Sequence, residues 1–355
     1  MLKTLGRVLK RVFQFVGILF TVVILAGLIF RVLGPKPHTP LGKLVPVNGM
    51  DLHIHPSGIK NDKPTVVIEG GGGLQTEYYH WLSEGLKDSL RVVRYDRAGV
   101  GYSDLGNTPR DAQTVARELH QLLEESGESP PYILAGHSLG GPYIRVFTQL
   151  YPDEVAGLVF MDATHPEQVE RFNAAPASSV RFKSVIWGLN VAIFFADVGV
   201  LGLAENLIGP IFPGEGLPDE INPRLRDMLL DGKRLRGYKH EIENYHTILD
   251  MAKAANQFDS IPIIVCTAIE INKESYRERG IDPDEYLNQV IENQKEYIDL
   301  SSNGKQILID GNHQTIFTKK ENADRINREI MELANRTIDT RAKGTSVKAL
   351  TTIEK

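Results

Sequence analysis

A serine lies between glycines at the end of an apolar run, in the stretch PYILAGHSLGGPYIRVF (131–147). Gly136, Ser138 and Gly140 match the pattern G-x-S-x-G, with a predicted strand before the serine and a predicted helix after it. Such a turn is so tight that the residues two before and two after the serine must lack bulk. Ser138 would be exposed near a helix N-terminus, where backbone N–H groups can face a developing oxyanion. The alternative is a glycine-rich turn in which Ser138 only caps the helix.

A serine hydroxyl is a weak nucleophile, so this chemistry needs a base. When G-x-S-x-G forms this kind of turn, the histidine comes last in the chain. His313 follows the final predicted strand, in ILIDGNHQTIF (307–317), at the sheet edge where open α/β sheets bind ligands. We therefore predict His313 as the base. The spacing of His240 and His246 puts them on different helix faces, and H-E-x-x-H is absent, so we assign no metal.

A glycine-rich loop, GGGGLQT (70–76), follows the predicted strand TVVIE and can approach a substrate carbonyl closely. We predict that the N–H groups of Gly72 and Leu139 form the oxyanion hole. A phosphate-binding loop is the alternative, but no G-K-[ST] follows the glycines.

The acid that orients the histidine has two candidates. Asp162 ends the predicted strand GLVFMD, and Glu270 follows the predicted strand IPIIVCTA. Both positions lie at C-terminal strand ends, so position alone does not choose between them.

These residues need a sheet that brings the strand ends together. Apolar runs of strand length alternate with segments of helical periodicity, which predicts a mostly parallel, doubly wound sheet with helices on both faces. Asn48-Gly49 predicts an antiparallel hairpin before it. The alternation stops between Asp162 and Ile261, and helical periodicity there predicts an inserted cap at about residues 165–260. The predicted strands are TVVIE (65–69), RVVRY (91–95), YILAG (132–136), GLVFMD (157–162), IPIIVCTA (261–268) and KQILID (305–310).

The N-terminal 33 residues predict a single-pass membrane anchor. Residues 12–30 carry only Gln14 and Thr21 as polar side chains, and as a helix they rise about 28 Å, close to the thickness of the hydrocarbon core. The basic residues before them predict a cytoplasmic N-terminus and an extracytoplasmic remainder. A cleavable signal peptide is the alternative, although its apolar region is usually shorter.

Composition limits the remaining possibilities. The chain has 355 residues and a net charge of −5, without a Lys/Arg block beyond the N-terminus, so we expect no nucleic-acid partner. Cys266 is the single cysteine and lies in an apolar run, which predicts a buried small hydrophobe.

We expect a linker at 34–43, one domain over 44–340, and a flexible tail at 341–355.

Four stretches together resemble proteins of the α/β-hydrolase fold, in the serine-hydrolase branch, over roughly residues 43–335. They are GHSLGGPYIRVF, YDRAGVGYSD (95–104), YPDEVAGLVFMDATHPEQ (151–168) and DGNHQTIF (310–317). The resemblance implies a bacterial esterase- or lipase-like enzyme that forms an acyl-enzyme on Ser138 and needs no cofactor. Epoxide hydrolases and haloalkane dehalogenases of this fold carry Asp at the elbow, so a serine implies that the substrates are small-molecule esters, thioesters or amides.

Two departures from the family pattern bear on the site. Relatives with the acid after the seventh strand usually carry Asp in a G-x-x-D loop, which TAIEINKES (267–275) lacks. This departure favours Asp162 over Glu270. The usual HG oxyanion opening is changed to Gly70-Gly71, which leaves the backbone donor intact.

The apolar segment 184–203 bears on the substrate. We expect a cap helix packed on the core, and we hypothesise that it lines an acyl pocket or dips into the membrane, for a lipid-like ester. A second membrane span is the alternative, but charge inside a span is costly. Other functions that remain open are a proline-iminopeptidase-like peptidase and a non-catalytic binding protein. The latter typically loses the nucleophile or the base, and both are present here.

Overall fold

The computed structural model describes residues 2–106, 109–172, 175–209, 214–230 and 232–353. For residues 2–3, 228–229 and 338–353 it describes the backbone alone. Its centre is an eight-stranded sheet in the order β1-β2-β4-β3-β5-β6-β7-β8. The strands are β1 Lys43–Val47, β2 Met50–Gly58, β3 Thr65–Glu69, β4 Arg91–Tyr95, β5 Tyr132–His137, β6 Val155–Met161, β7 Ile263–Ala268 and β8 Gly304–Ile309.

Strand pairing confirms the predicted sheet. β1 pairs with β2 and β2 with β4 in antiparallel register, and all other neighbours are parallel. The opening hairpin turns at Asn48-Gly49, whose φ angles of 50° and 78° are those that a two-residue hairpin turn requires.

Helices cover both faces of the sheet because successive strand side chains point to opposite sides. In β5, Leu134 packs into one hydrophobic cluster, and its neighbours Ile133 and Ala135 pack into the other. Cys266 is fully buried, as predicted. The α-helices of the described residues are α1 Leu2–Leu33, α2 His80–Leu86, α3 Ala112–Ser126, α4 Gly140–Leu150, α5 Gln168–Arg171, α6 Val180–Asp197, α7 Val200–Ile208, α8 Asn222–Leu225, α9 Gly232–Glu243, α10 Tyr245–Ala254, α11 Lys273–Glu278, α12 Pro283–Lys295, α13 Thr315–Thr318 and α14 Lys320–Ile353.

The predicted cap is present as a helical insertion, α5 to α10, between β6 and β7. A second insertion, α11 and α12 between β7 and β8, was not predicted. The last helix runs to Ile353, so secondary structure does not break at residue 341. The flexibility that we expected of residues 341–355 stays a prediction.

At the N-terminus, α1 contains a stretch, Thr4–Leu33, that is long and apolar enough to cross a membrane, and only 6% of its most apolar window is buried in the protein. Its C-terminal part packs on α7 of the cap. The anchor itself stays a prediction, because a signal sequence near the N-terminus also meets this criterion of length and composition.

Candidate active site

Ser138 sits on a sharp turn between β5 and α4. Its φ of 50° is in the left-handed region, and its backbone N–H donates to the carbonyl of Met161 at 3.3 Å. The two glycines of the motif are required by space: a Cβ at Gly136 would lie 2.7 Å from the carbonyl oxygen of Gly140, and one at Gly140 would lie 2.9 Å from that of Gly70. The turn therefore has the strained geometry that exposes a nucleophile.

His313 lies in the loop after β8, as the sequence predicts. Its Nδ1 is 2.6 Å from Asp162 Oδ2, a hydrogen bond between a half-exposed ring and a nearly buried carboxylate. The loop is held by Asn312, whose Oδ1 accepts the N–H groups of Gln314 and Thr315. This arrangement can fix the ring and leave Nε2 available for proton transfer.

Asp162 is fixed at the end of β6. Its φ is 43°, its N–H donates to the carbonyl of Cys266 at 2.8 Å, and Oδ1 accepts from the N–H of Ala268. Glu270, the other candidate, lines a cavity beside His313, but the recorded hydrogen bond from His313 goes to Asp162. The geometry thus pairs the histidine with the aspartate.

Gly72 and Leu139 lie beside Ser138 on the wall of one cavity. The N–H groups on either side of Gly72 are used, that of Gly71 by Tyr79 Oη at 2.7 Å and that of Gly73 by Glu241 Oε2 at 2.8 Å. Within the described part of the chain, the N–H groups of Gly72 and Leu139 have no hydrogen-bond partner. Both are therefore available to an oxyanion formed at the serine.

Two cavities meet at Ser138 and His313. The first, of about 510 Å³, lies under the cap and is lined there by Tyr238, Ile242 and Tyr245. The second, of about 550 Å³, is enclosed by the α11–α12 insertion and is more polar. Its polar lining includes Glu270, Asn272, Ser275, Arg279, Asn293 and Gln294.

A family model described as the alpha/beta hydrolase fold matches residues 64–181, from β3 through the elbow into the cap. Two solved structures share the architecture over most of the chain. An epoxide hydrolase, CorEH, superposes with a TM-score of 0.58 at 16% identity, covering 82% of this chain and 97% of its own. A putative lipase from Acinetobacter baumannii gives 0.56 at 15% identity, covering 84% and 92%.

This chain is an α/β-hydrolase fold protein. Among curated proteins it is similar to YbdG of Bacillus subtilis, an uncharacterized protein, at 31% identity over 173 residues. That alignment covers 47% of this chain and 53% of YbdG, so the chain spans about half the length of this relative. The two solved structures are titled as an epoxide hydrolase and a putative lipase, and at 15–16% identity their likeness shows the fold alone. The name hydrolase domain is used below for residues 44–340 and refers to this fold.

Arg97, in the stretch YDRAGVGYSD, organises the glycine loop of the hydrolase domain. Its guanidinium donates to the carbonyls of Gly70 and Gly71, both at 2.7 Å. It also pairs with Glu69 at 2.5 Å and Glu241 at 2.7 Å, and all three charged side chains are buried. Burial raises the pKa of Glu69, although the charge of Arg97 opposes the rise. One arginine therefore joins the sheet, the glycine loop (residues 70–76) and the cap helix α9.

His137 is the residue between Gly136 and Ser138 in G-x-S-x-G, and it links the glycine loop after β3 with the His313 loop after β8. Tyr79 Oη accepts from Gly71 N–H and is 3.2 Å from His137 Nδ1, and His137 Nε2 is 2.9 Å from the carbonyl oxygen of His313. Burial, together with the neighbouring His313, holds the pKa of His137 well below its usual range. A neutral ring protonated at Nε2 satisfies both contacts, with the Tyr79 hydroxyl donating to Nδ1.

Sequence reasoning missed the supporting residues Tyr79, Arg97, His137 and Glu241. Arg97 lies in YDRAGVGYSD, a stretch that the sequence analysis used only for the resemblance to the fold, without assigning a role to the arginine. Glu241 lies in HEIENYH, which was considered only as a metal motif. In the described residues, no group of three or more His, Cys, Asp or Glu side chains could hold a metal ion.

Proposed function

We propose that this chain is a membrane-anchored serine hydrolase that cleaves carboxylic esters or related acyl bonds, with Ser138 as nucleophile, His313 as base and Asp162 as the orienting acid. The observation that carries the proposal is the 2.6 Å hydrogen bond from His313 to Asp162, on a histidine that shares a cavity with the strained Ser138. A serine that only capped a helix would need neither this pair nor the free N–H groups beside it.

The proposed reaction has two halves. His313 Nε2 takes the proton of Ser138 as its oxygen attacks the acyl carbon, and the N–H groups of Gly72 and Leu139 stabilise the tetrahedral oxyanion. The leaving alkoxide departs with the proton that His313 returns, and an acyl-enzyme remains. Water then loses its proton to His313 and attacks the acyl carbon, which releases the carboxylic acid and restores Ser138.

Two further features support an acyl ester as substrate. The two cavities that meet at the serine can hold the two halves of an ester, and the cap-lined cavity offers Tyr238, Ile242 and Tyr245 to an apolar chain. The apolar N-terminal helix would hold the domain at a membrane, where lipid-like esters are concentrated. We place the hydrolase domain on the extracytoplasmic side, from the basic residues that precede the apolar segment.

A proline-iminopeptidase-like activity needs acidic cap groups that bind a free amine. Glu241 of the cap is already engaged by Arg97 and by the N–H of Gly73, and the cap helices line the first cavity with Gln168, Tyr238, Ile242 and Tyr245, none of which is acidic. These contacts favour the ester over the aminopeptide substrate.

The test is hydrolysis of p-nitrophenyl esters of short to long acyl chains by the full chain in detergent, with Ser138→Ala as the matched variant. We expect activity and fluorophosphonate labelling in the wild type, and loss of both in the variant. Loss of activity by a factor of about 10⁴ or more is expected, since the variant retains only the oxyanion hole and substrate binding. A folded wild type that neither hydrolyses any ester nor takes the label would favour a non-catalytic binding protein.

A further inference from the structure

The cap contains an apolar elbow, α6 followed by α7, that packs against the N-terminal helix. We propose that this elbow is embedded in the membrane beside α1, in the leaflet nearest the hydrolase domain, without crossing the bilayer. The inference rests on the membrane anchor of the proposed function and extends it, because it makes the cap a second lipid-contacting element.

Close backbone packing joins the elbow to α1. A Cβ at Gly27 would lie 2.6 Å from the carbonyl oxygen of Val198 and 2.9 Å from the nitrogen of Val200, so the glycine is required where the helices meet. Small residues that let helix backbones approach are typical of helix pairs in membranes. Deeper along α1, the ring of Phe20 meets that of Phe195 edge to face, with centroids 6.5 Å apart.

The position of these contacts along α1 sets the depth of the elbow. Arg31 of α1 donates to the carbonyl oxygen of Asp197. The charged side chain of Arg31 therefore lies at the C-terminal end of α6. Phe20 lies roughly 16 Å from Arg31 along the helix axis, about half the thickness of a hydrocarbon core. If Arg31 lies at the membrane surface, the Phe195 ring beside Phe20 is within the acyl chains.

The uncovered surface of α6 and α7 is largely apolar. Its exposed polar side chains are Arg181, Lys183 and Ser184 in the first two turns of α6, Asn190 in its middle and Asn206 in α7. One side of α6 packs along α9, with Ala196 fully buried there. The opposite side exposes Trp187 by 70% and Phe194 by 47%, and the end of α7 exposes Ile208 by 79%. Large apolar side chains that stay exposed on neighbouring helices often mark a contact with a membrane or a partner, and half of α6 has no protein over it in the described chain.

The same contacts keep the elbow from crossing the bilayer. The two helices are bent by 81°, so together they do not form one straight span. Asp197 at the end of α6 pairs with Arg236 of α9 at 2.8 Å and accepts the N–H of Gly232. Because α6 is fixed along α9, it stays on the side of the membrane that holds the domain.

This placement connects the membrane with the active site. α9 carries α6 on one side, and its Tyr238 and Ile242 line the cavity at Ser138. With the elbow embedded, α9 is the helix that lies between the elbow and the first cavity, so an ester in the adjacent leaflet would have a short path to the serine.

The two tryptophans of the chain allow a direct test. Trp187 lies on the exposed side of α6, and Trp81 lies on the hydrolase domain, where its Nε1 donates to the carbonyl of Gly216. The full chain is reconstituted into phosphatidylcholine vesicles with or without brominated acyl chains, as Trp81→Phe and, for the control, as Trp187→Phe. We expect brominated lipid to quench most of the Trp187 emission in the first variant and to leave the Trp81 emission of the second unchanged.

Equal emission of Trp187 in the two kinds of vesicle would overturn the proposal. Ester hydrolysis is measured on the same vesicles, so that the two proposals can fail separately. Hydrolysis without quenching would refute the embedded elbow and support the serine hydrolase. Quenching without hydrolysis would support the embedded elbow and refute the serine hydrolase.

Cysteine labelling provides an independent measurement if Trp81→Phe does not fold. Cys266 is fully buried, and burial raises the pKa of its thiol, so the native chain gives little background with a maleimide. In vesicles, we expect Phe194→Cys, on the same side of α6 as Trp187, to be protected from a membrane-impermeant maleimide and Glu274→Cys, on α11 of the hydrolase domain, to be labelled. Equal labelling of the two positions would contradict the embedded elbow.

Discussion

At the scale of single residues, the choice between two carboxylates decides the acid of the site. We predict that Asp162→Asn lowers kcat by about 10³- to 10⁴-fold, because an amide in place of the carboxylate no longer holds the His313 tautomer that accepts the serine proton. Glu270→Gln is the matched control and should stay within about threefold, since the hydrogen bond from His313 goes to Asp162. Steady-state kinetics of both variants on one p-nitrophenyl ester make the comparison. A larger loss in Glu270→Gln than in Asp162→Asn would reassign the acid.

Sequence alone could predict Ser138 and His313 because each depends on local pattern and chain order. The acid could not be predicted from position, because Asp162 and Glu270 both follow strands that are neighbours in the sheet. What separates them is the direction of a side chain. Asp162 has φ near 43° and a backbone tied to Cys266, and such geometry is set by tertiary contacts that a single sequence does not display.

A buried histidine gives the fold a pH dependence. His53 is fully buried, and although burial alone would lower its pKa, the Asp96 carboxylate 2.7 Å away outweighs this and raises it above the ordinary value of 6.5. The charged form is therefore stabilised by folding, and this contribution is complete below pH 6.5 and is lost as pH rises through the folded-state pKa.

We predict that His53→Asn destabilises the protein more at pH 6 than at pH 9. Urea unfolding of the wild type and the variant in detergent, at intervals across that range, measures the difference in free energy of unfolding at each pH. Asp96 stays ionised throughout, because its pKa is lowered by His53 and by the N–H groups of Tyr102 and Thr76 despite its burial. A difference that does not change with pH would show that the pair is not charged as described.

At the scale of elements, one arginine connects the sheet, the glycine loop and the cap. We predict that Arg97→Met lowers the free energy of unfolding by about 3–5 kcal/mol, because it leaves the buried carboxylates of Glu69 and Glu241 without their cation. Arg171→Met is the control: its pairs with Glu167 and Glu296 are partly exposed and should contribute about 1 kcal/mol or less.

Urea unfolding of both variants, followed by circular dichroism in detergent, provides these free energies. Similar losses for Arg97→Met and Arg171→Met would mean that the buried network does not hold the loop against the cap. The ester activity of Arg97→Met should also fall below that of the wild type under folding conditions, because the N–H of Gly72 is positioned by the loop that Arg97 holds.

The strands could be predicted to within a few residues because each is a short apolar run bounded by turn residues. Where the pattern is weaker, less could be predicted: α11 and α12 are rich in charged residues and carry no apolar run, yet they line one of the two cavities at Ser138. The role of Glu241 depended on a contact across the cap, between residues far apart in the chain, and local pattern cannot report such contacts.

At the scale of the whole molecule, the order of the strands and the site at their C-terminal ends follow from general rules of α/β sheets, and both could be expected from sequence. The packing of the N-terminal helix on the cap elbow could not. Both segments are apolar, but apolar character does not specify a partner, and only the close approach at Gly27 makes the pairing visible. The structure thus adds a physical link between the N-terminal helix and the cavity at Ser138.

That link predicts different behaviour towards two kinds of substrate. In Gly27→Leu, the new side chain would meet the backbone of Val198 and Val200, so α1 and the elbow must separate. Gly17→Leu is the matched control on the same helix, since a Cβ there has no atom within 4 Å among the described residues. We expect Gly27→Leu to hydrolyse a soluble short-chain ester at the wild-type rate and to lose about tenfold on a long-chain ester carried in the bilayer, because the cap no longer lies against the leaflet.

Both rates are measured on the same vesicle preparation, with protein amounts matched by fluorophosphonate labelling. Gly17→Leu should match the wild type on both substrates. A Gly27→Leu variant that loses both activities equally would indicate a general packing defect, and one that loses neither would show that the contact between anchor and cap does not serve substrate delivery. Selective loss on the membrane-borne ester is the result that the close approach of α1 to the elbow requires, because α9 links that elbow to the cavity at Ser138.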